Sequence, residues 1–178
     1  DCDVCTQGRY QPDNGTTACL NCIPGKYQPQ RQQQHCIDCE IGRASSTIAE
    51  KDSCRVCAKG THQPDNGTTA CLNCIPGKHQ PLQEQLKCID CAVGRASSLV
   101  ARDTNCDACT QGRYQPDNGT TACLNCIPGK HQPLQEQVKC IDCAVGRASS
   151  LVARDTNCDA CTQGRYQPDN GTTACLNC

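Results

Sequence analysis

Cysteine is the residue type in this chain whose number and spacing suit it for chemistry. Eleven Cys-x-x-Cys pairs, from Cys2 and Cys5 to Cys175 and Cys178, recur every 17 or 18 residues and contain all 22 cysteines. Thiols at this spacing form disulfide bridges, bind zinc as thiolates, or act as a redox-active pair. The first question is therefore which of these three chemistries the pairs support.

Zinc is the main alternative to disulfides, because two such pairs about fifteen residues apart resemble a zinc ribbon with four thiolate ligands. Three observations disfavour it: eleven pairs leave a remainder when grouped in twos, Asn-Gly-Thr sequons indicate a secretory route, and extracellular thiols mostly end as disulfides. A redox-active pair is disfavoured because nothing distinguishes any one pair from the others. We therefore expect disulfides, with no metal and no cofactor.

The cysteine pairs are part of a longer repeat. Cys2, Cys54, Cys106 and Cys158 are each 52 residues apart, and residues 54–105 and 106–157 differ at only seven positions. A fixed period of this kind predicts a solenoid or a linear array. A surface copied this faithfully offers many copies of one patch, whereas an active site needs a unique constellation, so we expect no catalytic residues and no enzyme. The predicted repeats, each of three sub-modules except the partial last one, are residues 1–53, 54–105, 106–157 and 158–178.

The composition cannot supply a shared apolar interior. The chain has no Phe, Trp or Met and four Tyr, so cross-links must replace packing. A glycine follows the second cysteine of each of ten pairs by three positions, and Pro-Asp-Asn-Gly marks a further turn, with only three to five residues of strand between turns. The predicted fold is an elongated, rod-like array of small disulfide-rich repeats, made of short β-hairpins and turns with little helix and no single hydrophobic core. One helical turn is allowed at 45–51 and 97–103.

The charge pattern excludes two classes of partner. Seventeen basic and eighteen acidic residues nearly cancel, and no basic run or aromatic platform is present, so nucleic acid and anionic membrane are not expected. No stretch approaches the apolar length of a membrane span. We expect a secreted or cell-surface protein.

The repeat restricts how the cysteines pair, because equivalent sub-modules should have equivalent bonds. Three schemes satisfy this condition: the second cysteine of a pair to the first of the next, as in Cys5 to Cys19; the first to the next second, as in Cys2 to Cys22; or closure within each pair. A rule that groups pairs two by two has period two and conflicts with the period of three sub-modules.

The run Cys-x-x-Cys-x-x-Gly-x-Tyr, followed by a Gly-bearing turn and the next Cys-x-x-Cys, resembles the cysteine-rich repeat of ephrin type-A/B receptors. It is more loosely similar to tumour necrosis factor receptor modules, whose first loop is closed by a bridge corresponding to Cys5–Cys19. That resemblance supports the first scheme, which leaves only Cys2 and Cys178 without a partner in this sequence. The scheme predicts Cys5–Cys19, Cys22–Cys36, Cys39–Cys54, Cys57–Cys71, Cys74–Cys88, Cys91–Cys106, Cys109–Cys123, Cys126–Cys140, Cys143–Cys158 and Cys161–Cys175.

Two further positions carry functional signals. The sequons place N-linked glycans on a predicted exposed turn, at Asn14, Asn66, Asn118 and Asn170. Tyrosine or histidine stands two positions after the glycine that follows the cysteine pair in seven sub-modules: Tyr10, Tyr27, His62, His79, Tyr114, His131 and Tyr166. Since Tyr and His exchange freely there, we expect a flat ring packed on the adjacent disulfide rather than a metal ligand or a pH sensor.

These features favour a structural component of an extracellular filament or surface fibre, a glycosylated and disulfide-stapled spacer. Its expected partners are copies of itself or other extracellular fibre proteins. Receptors that bind ligands usually diversify their modules, whereas these copies are nearly identical. The alternative is the stalk or ligand-binding ectodomain of a cell-surface receptor or adhesin.

Overall fold

The structure, a computed structural model, describes residues 4–13, 16 and 18–178. The chain divides into two compact units. The first comprises Asp1–Ile75, His79–Ile89 and Val100–Thr104, and the second comprises Pro76–Lys78, Asp90–Leu99 and Asn105–Cys178.

Twenty strands of two residues each pair into ten two-stranded antiparallel hairpins, and the described residues contain no helix. The fold class expected from the sequence, small disulfide-rich repeats of short hairpins and turns, is confirmed. The strands, paired in chain order, are β1 Arg9–Tyr10 with β2 Leu20–Asn21, β3 Lys26–Tyr27 with β4 Ile37–Asp38, β5 Arg43–Ala44 with β6 Arg55–Val56, β7 Thr61–His62 with β8 Leu72–Asn73, β9 Lys78–His79 with β10 Ile89–Asp90, β11 Arg95–Ala96 with β12 Asp107–Ala108, β13 Arg113–Tyr114 with β14 Leu124–Asn125, β15 Lys130–His131 with β16 Ile141–Asp142, β17 Arg147–Ala148 with β18 Asp159–Ala160, and β19 Arg165–Tyr166 with β20 Leu176–Asn177.

Each hairpin begins at the turn glycine that the sequence identified. In the second module Gly25 has φ +86°, a conformation that favours glycine, and the N–H of Lys26 donates to the carbonyl of Ile23 at 3.1 Å. The glycine carbonyl then accepts the N–H of Cys39, the first residue beyond β4, at 2.8 Å. The turn and the bond across the hairpin therefore fix which residues pair.

Successive hairpins are joined by backbone hydrogen bonds instead of apolar packing. Three kinds of bond recur, each nine times along the described chain. In the first kind, the N–H of the turn glycine donates to a backbone carbonyl of the next module. In the second kind, the N–H of the residue after the first strand of the hairpin donates to another carbonyl of that next module. In the third kind, a positive-φ residue in the loop of the next module donates its N–H back to a cysteine carbonyl of the preceding module. In the second and third modules these are Gly25 N–H to Ser45 O, Gln28 N–H to Glu50 O, and Ala49 N–H to Cys22 O.

The turn glycines also contact the module two places further along. A Cβ added at Gly25 would lie closer than 3.0 Å to the carbonyl oxygen of Gly67, and a Cβ at Gly94 would meet the carbonyl of Glu136 in the same way. Real side chains do not tolerate such a distance. These glycines are therefore required for close approach of backbones as well as for turn conformation.

The buried apolar side chains of the described residues are cysteines and three alanines, Ala44, Ala96 and Ala148. Large aliphatic side chains such as Ile23, Ile75 and Ile127 are about 60% exposed. No single hydrophobic core forms, as the sequence predicts. The helical turn allowed at 45–51 and 97–103 is wrong: Ala49 and Ala101 adopt positive φ and direct their N–H groups back to the preceding module.

Candidate functional site

The cysteines occupy the sites that organise the molecule. Ten bridges join the second cysteine of one pair to the first of the next, with Cα–Cα distances of 5.5 to 5.7 Å. The pairing is that of the first scheme. Cys178 is free and exposed, and Cys2 lies outside the described residues. The bridges are Cys5–Cys19, Cys22–Cys36, Cys39–Cys54, Cys57–Cys71, Cys74–Cys88, Cys91–Cys106, Cys109–Cys123, Cys126–Cys140, Cys143–Cys158 and Cys161–Cys175.

The bridges fall into three types that follow the 52-residue period. First-type modules are closed by Cys5–Cys19 and its copies, second-type modules by Cys22–Cys36 and its copies, and third-type modules by Cys39–Cys54, Cys91–Cys106 and Cys143–Cys158. Third-type bridges span 15 residues and the others 14. Both cysteines are buried in third-type bridges, whereas the closing cysteine is half-buried in the other two types.

Side chains from the same unit cover the third-type closing cysteine. Arg147 Nη1 donates to the carbonyl of Cys158 at 2.7 Å, and the ring nitrogen Nδ1 of His131 lies 3.4 Å from Cys158 Sγ. The copies Arg43 and Arg95 make the same bond to Cys54 and Cys106. In third-type modules the strand arginine therefore holds the closing cysteine by its carbonyl.

The histidine ring lies on a disulfide, as the sequence predicts. His62 Nδ1 is 3.2 Å from Cys88 Sγ in the first unit, and His131 makes the corresponding contact in the second. A bridged sulfur carries no hydrogen, so a hydrogen bond here has Nδ1–H as its donor. Burial lowers the pKa of His131, and the positive charges of Arg154 and Arg147 lower it further.

The same contacts bring together groups that resemble metal ligand sets. The donor atoms of His62, Cys74 and Cys88 lie within 4.8 Å of one another, and so do those of His131, Cys143 and Cys158. In each set the two sulfurs share a disulfide bond. Because zinc binds thiolates, neither set is a zinc site while it is bridged. The geometry instead suits chemistry at the disulfide itself.

A buried glutamine in the first- and second-type modules has a role that we did not predict. Gln132 is 2% exposed; its Nε2 donates to the carbonyl of Lys139 at 2.8 Å and its Oε1 accepts from the N–H of Leu134 at 3.0 Å. The side chain therefore links the two sides of the loop, as a backbone hydrogen bond would. Gln28, Gln63, Gln80, Gln115 and Gln167 make the same pair of bonds. The signal was the constant glutamine before proline in the Gly-x-[YH]-Gln-Pro segments, where x is Arg or Lys and, in the copy that contains Gln63, Thr.

Third-type modules have serine in place of this glutamine. Ser149 is buried, and its Oγ accepts from the N–H of Leu151 at 3.3 Å. Its Oγ also accepts from Nη1 of Arg154 at 3.4 Å, and Arg154 bonds in turn to the carbonyls of Thr156 and Asn157 and to the carboxylate of Asp159. The third-type loop is therefore closed by its bridge, by the bond of the strand arginine and by the bonds of Arg154.

The aspartates of the Cys-Ile-Asp-Cys segments form ion pairs across second-type hairpins. Lys26 pairs with Asp38, and Lys130 with Asp142, in antiparallel register. The carboxylates are about half exposed, so each pair adds little stability. The arrangement fits hairpin support rather than a cation site.

Three sequon asparagines, Asn66, Asn118 and Asn170, are exposed, and Asn14 lies outside the described residues. Asn170 borders an open hollow of about 610 Å³, lined by Tyr114, Ile127, Lys130, Lys139, Cys140, Ile141 and Asp142. Exposure is what a glycan acceptor requires. The sites remain predictions.

No family model and no curated protein sequence matches this chain.

Proposed function

We propose that this chain is a structural component of an extracellular filament or surface fibre, in which the repeat is a disulfide-stapled, glycosylated spacer and assembly element. The observation that supports this most is the recurrence of the same three backbone bonds between successive modules, nine times each. Uniform junctions give a repeat array a constant pitch and stiffness. A rod-like form follows from this proposal and stays a prediction.

The cross-links and the surface fit this role. Ten disulfides are typical of a secreted or extracellular protein. In the part of the chain that the structure describes, no helix has the length and apolarity needed to cross a membrane. Glycans at the exposed sequons would limit proteolysis of the loops beside them.

The assembly surface in this proposal is the set of exposed aliphatic side chains that repeats with the modules. Ile23, Ile75 and Ile127 are 60%, 61% and 60% exposed, and they are 52 residues apart. Because the repeat gives each unit the same exposed side chain, two chains, or a chain and a second fibre protein, can meet through several copies of one contact. Many weak contacts of this kind add through avidity.

Electron microscopy of the native surface material, with antibody labelling and computed diffraction, tests the proposal. We expect long labelled fibres with an axial repeat that indexes on the 52-residue unit. Short isolated rods that end at a membrane or a globular head would contradict it and favour a receptor or adhesin stalk, to which the resemblance to receptor cysteine-rich modules also points.

The assembly surface is tested separately with purified protein. Replacing Ile23, Ile75 and Ile127 by Asp should abolish lateral association, because burying a carboxylate in an apolar contact is costly. The matched control replaces three exposed asparagines with the same 52-residue spacing, Asn21, Asn73 and Asn125, by Asp. Unchanged association of the aspartate variant in sedimentation would exclude this surface.

A further inference from the structure

His62 contacts the bridge Cys74–Cys88 at a cysteine that is partly exposed to solvent. The ring nitrogen Nδ1 lies 3.2 Å from Cys88 Sγ, and both residues are partly exposed, while Cys74 is buried. A thiol arriving from solvent therefore reaches the Cys88 sulfur with an imidazole beside it. Attack on a disulfide sulfur by a thiolate is the elementary step of thiol–disulfide exchange.

The chain contains natural comparisons for this arrangement. Cys126–Cys140 is a bridge of the same type with a partly exposed closing cysteine, but Tyr114 stands where the copy has His62, and Tyr114 and Cys140 line one hollow. Cys143–Cys158 has a histidine against it, but all three side chains are buried. Of these three bridges, only Cys74–Cys88 has both an imidazole against it and a closing cysteine that is partly exposed.

We propose that Cys74–Cys88 is a thiol-exchange site, at which a small thiol forms a mixed disulfide with Cys88 and His62 transfers the proton. The proposal does not depend on whether the protein forms fibres. Its substrate class is a low-molecular-weight thiol of the glutathione kind, small enough to reach a half-buried sulfur.

The step balances without an oxidant or a reductant. In the tautomer whose Nδ1–H donates to Cys88, Nε2 of the neutral ring accepts the proton of the incoming thiol. The thiol sulfur bonds to Cys88 Sγ, the Cys74–Cys88 bond breaks, and its electron pair goes to Cys74 Sγ. The imidazolium then gives its Nδ1 proton to the Cys74 thiolate, whose sulfur lies within 4.8 Å of a ring nitrogen. The products are a mixed disulfide at Cys88 and a thiol at Cys74.

The experiment measures the released thiol at each bridge of the full chain. Free thiols are first blocked with light maleimide, and the protein is then exposed to reduced glutathione for timed intervals and quenched in denaturant with heavy maleimide. Full reduction, alkylation with iodoacetamide and cleavage after arginine give peptides 56–95 and 114–147, which differ in mass. Fragmentation locates the heavy label at Cys74, Cys126 or Cys143.

We expect initial label at Cys74 to exceed that at Cys126 by about tenfold, a modest effect for a general acid–base group because small thiols are already partly ionised. Label at Cys143 should be the slowest, since that bridge is buried. Equal rates at Cys74 and Cys126 would overturn the proposal.

Exchanging the two aromatic residues separates proton transfer from a merely structural role. His62→Tyr should lower the Cys74 rate to that of Cys126, and Tyr114→His should raise the Cys126 rate by about tenfold. Each variant introduces a residue that the equivalent position already holds in another copy, so folding is expected to be retained. A Tyr114→His variant with an unchanged Cys126 rate, or a His62→Tyr variant that speeds exchange at Cys74, contradicts the proposed role of the imidazole.

Discussion

The bridged loop of a third-type module is one residue longer than that of a second-type module, and a different side chain supports it. The two types of module also differ in how deeply their disulfides are buried. The second-type module Cys126–Cys140 has a buried glutamine and leaves its closing cysteine half-buried. The third-type module Cys143–Cys158 has serine there and buries both sulfurs. The same covalent cross-link therefore sits in two environments, and tertiary contacts decide how accessible it is.

The largest expected effect concerns the close approach of third-type glycines to second-type loops. Gly94 and Gly119 both have positive φ, +74° and +70°. A Cβ at Gly94 would collide with the backbone carbonyl of Glu136, whereas the nearest atom to a Cβ at Gly119 would be the side-chain Oδ1 of Asp90 at 3.1 Å, which can move aside. Gly94→Ala should therefore cost about 3–5 kcal/mol and Gly119→Ala about 1 kcal/mol, mainly the cost of positive φ.

Amide exchange of the Glu136 N–H, which donates to Cys109 O, measures the difference in local opening. Equal acceleration of exchange in the two variants would show that only turn conformation matters. The contact of Gly94 with the module two places further along would then add nothing to stability.

The next effect separates the two ways of supporting the loop. Gln132→Ala should destabilise its module by about 2–3 kcal/mol, because it removes two hydrogen bonds and leaves buried backbone groups without partners. Ser149→Ala should cost about 1 kcal/mol. Amide exchange of Leu134 and Leu151, the two backbone donors, is the measurement. A larger effect of the serine variant would reverse the proposed roles of these residues.

A smaller effect is the protection of the buried bridge. Under a limiting phosphine reductant, Cys143–Cys158 should be reduced about ten times more slowly than Cys126–Cys140, since its sulfurs must first be exposed by local opening. Arg147→Lys removes the Nη1 donor to the Cys158 carbonyl and should bring the reduction rates of the two bridges closer together. Reduction of both bridges at one rate would contradict the burial difference.

The smallest effect is a pH dependence of the third-type contact. Because burial lowers the pKa of His131, the unfolded chain takes up a proton at a higher pH than the folded one. Stability in this region should therefore be complete above the ordinary histidine pKa of about 6.5 and fall on acidification below it, by less than about 1 kcal/mol by pH 5. His131→Tyr should remove the dependence. Amide exchange of the His131 region at pH 7 and pH 5 checks this, and greater stability at pH 5 would give the wrong sign.

The sequence predicts the features that depend on local spacing. The turn at each glycine and the hairpin after it follow from Cys-x-x-Cys-x-x-Gly and the next pair. The histidine contact with a disulfide was predicted from the exchange of Tyr and His at one position, although it joins neighbouring modules, as His62 and Cys88 do. The glutamine of first- and second-type modules recurs at one position of the sequence repeat, but its burial depends on the loop that folds around it.

The features that the sequence does not predict depend on contacts between modules. Nothing in the chain near Gly94 reveals that Glu136, 42 residues later, approaches it. The extra residue of the third-type loop was compatible with a helical turn, and only the bond from Ala49 N–H to the Cys22 carbonyl decides for a positive-φ turn. Stacking contacts of this length are not encoded in any short motif.

The central claim is that each hairpin is closed by its own bridge, from the second cysteine of one pair to the first of the next. Mass-spectrometric mapping of the unreduced protein, with fragmentation inside the Cys-x-x-Cys segments, tests it most directly. The account predicts Cys126 linked to Cys140 and Cys143 linked to Cys158. Recovery of Cys123 linked to Cys126 or to Cys143, or of free thiols with bound zinc, would contradict it.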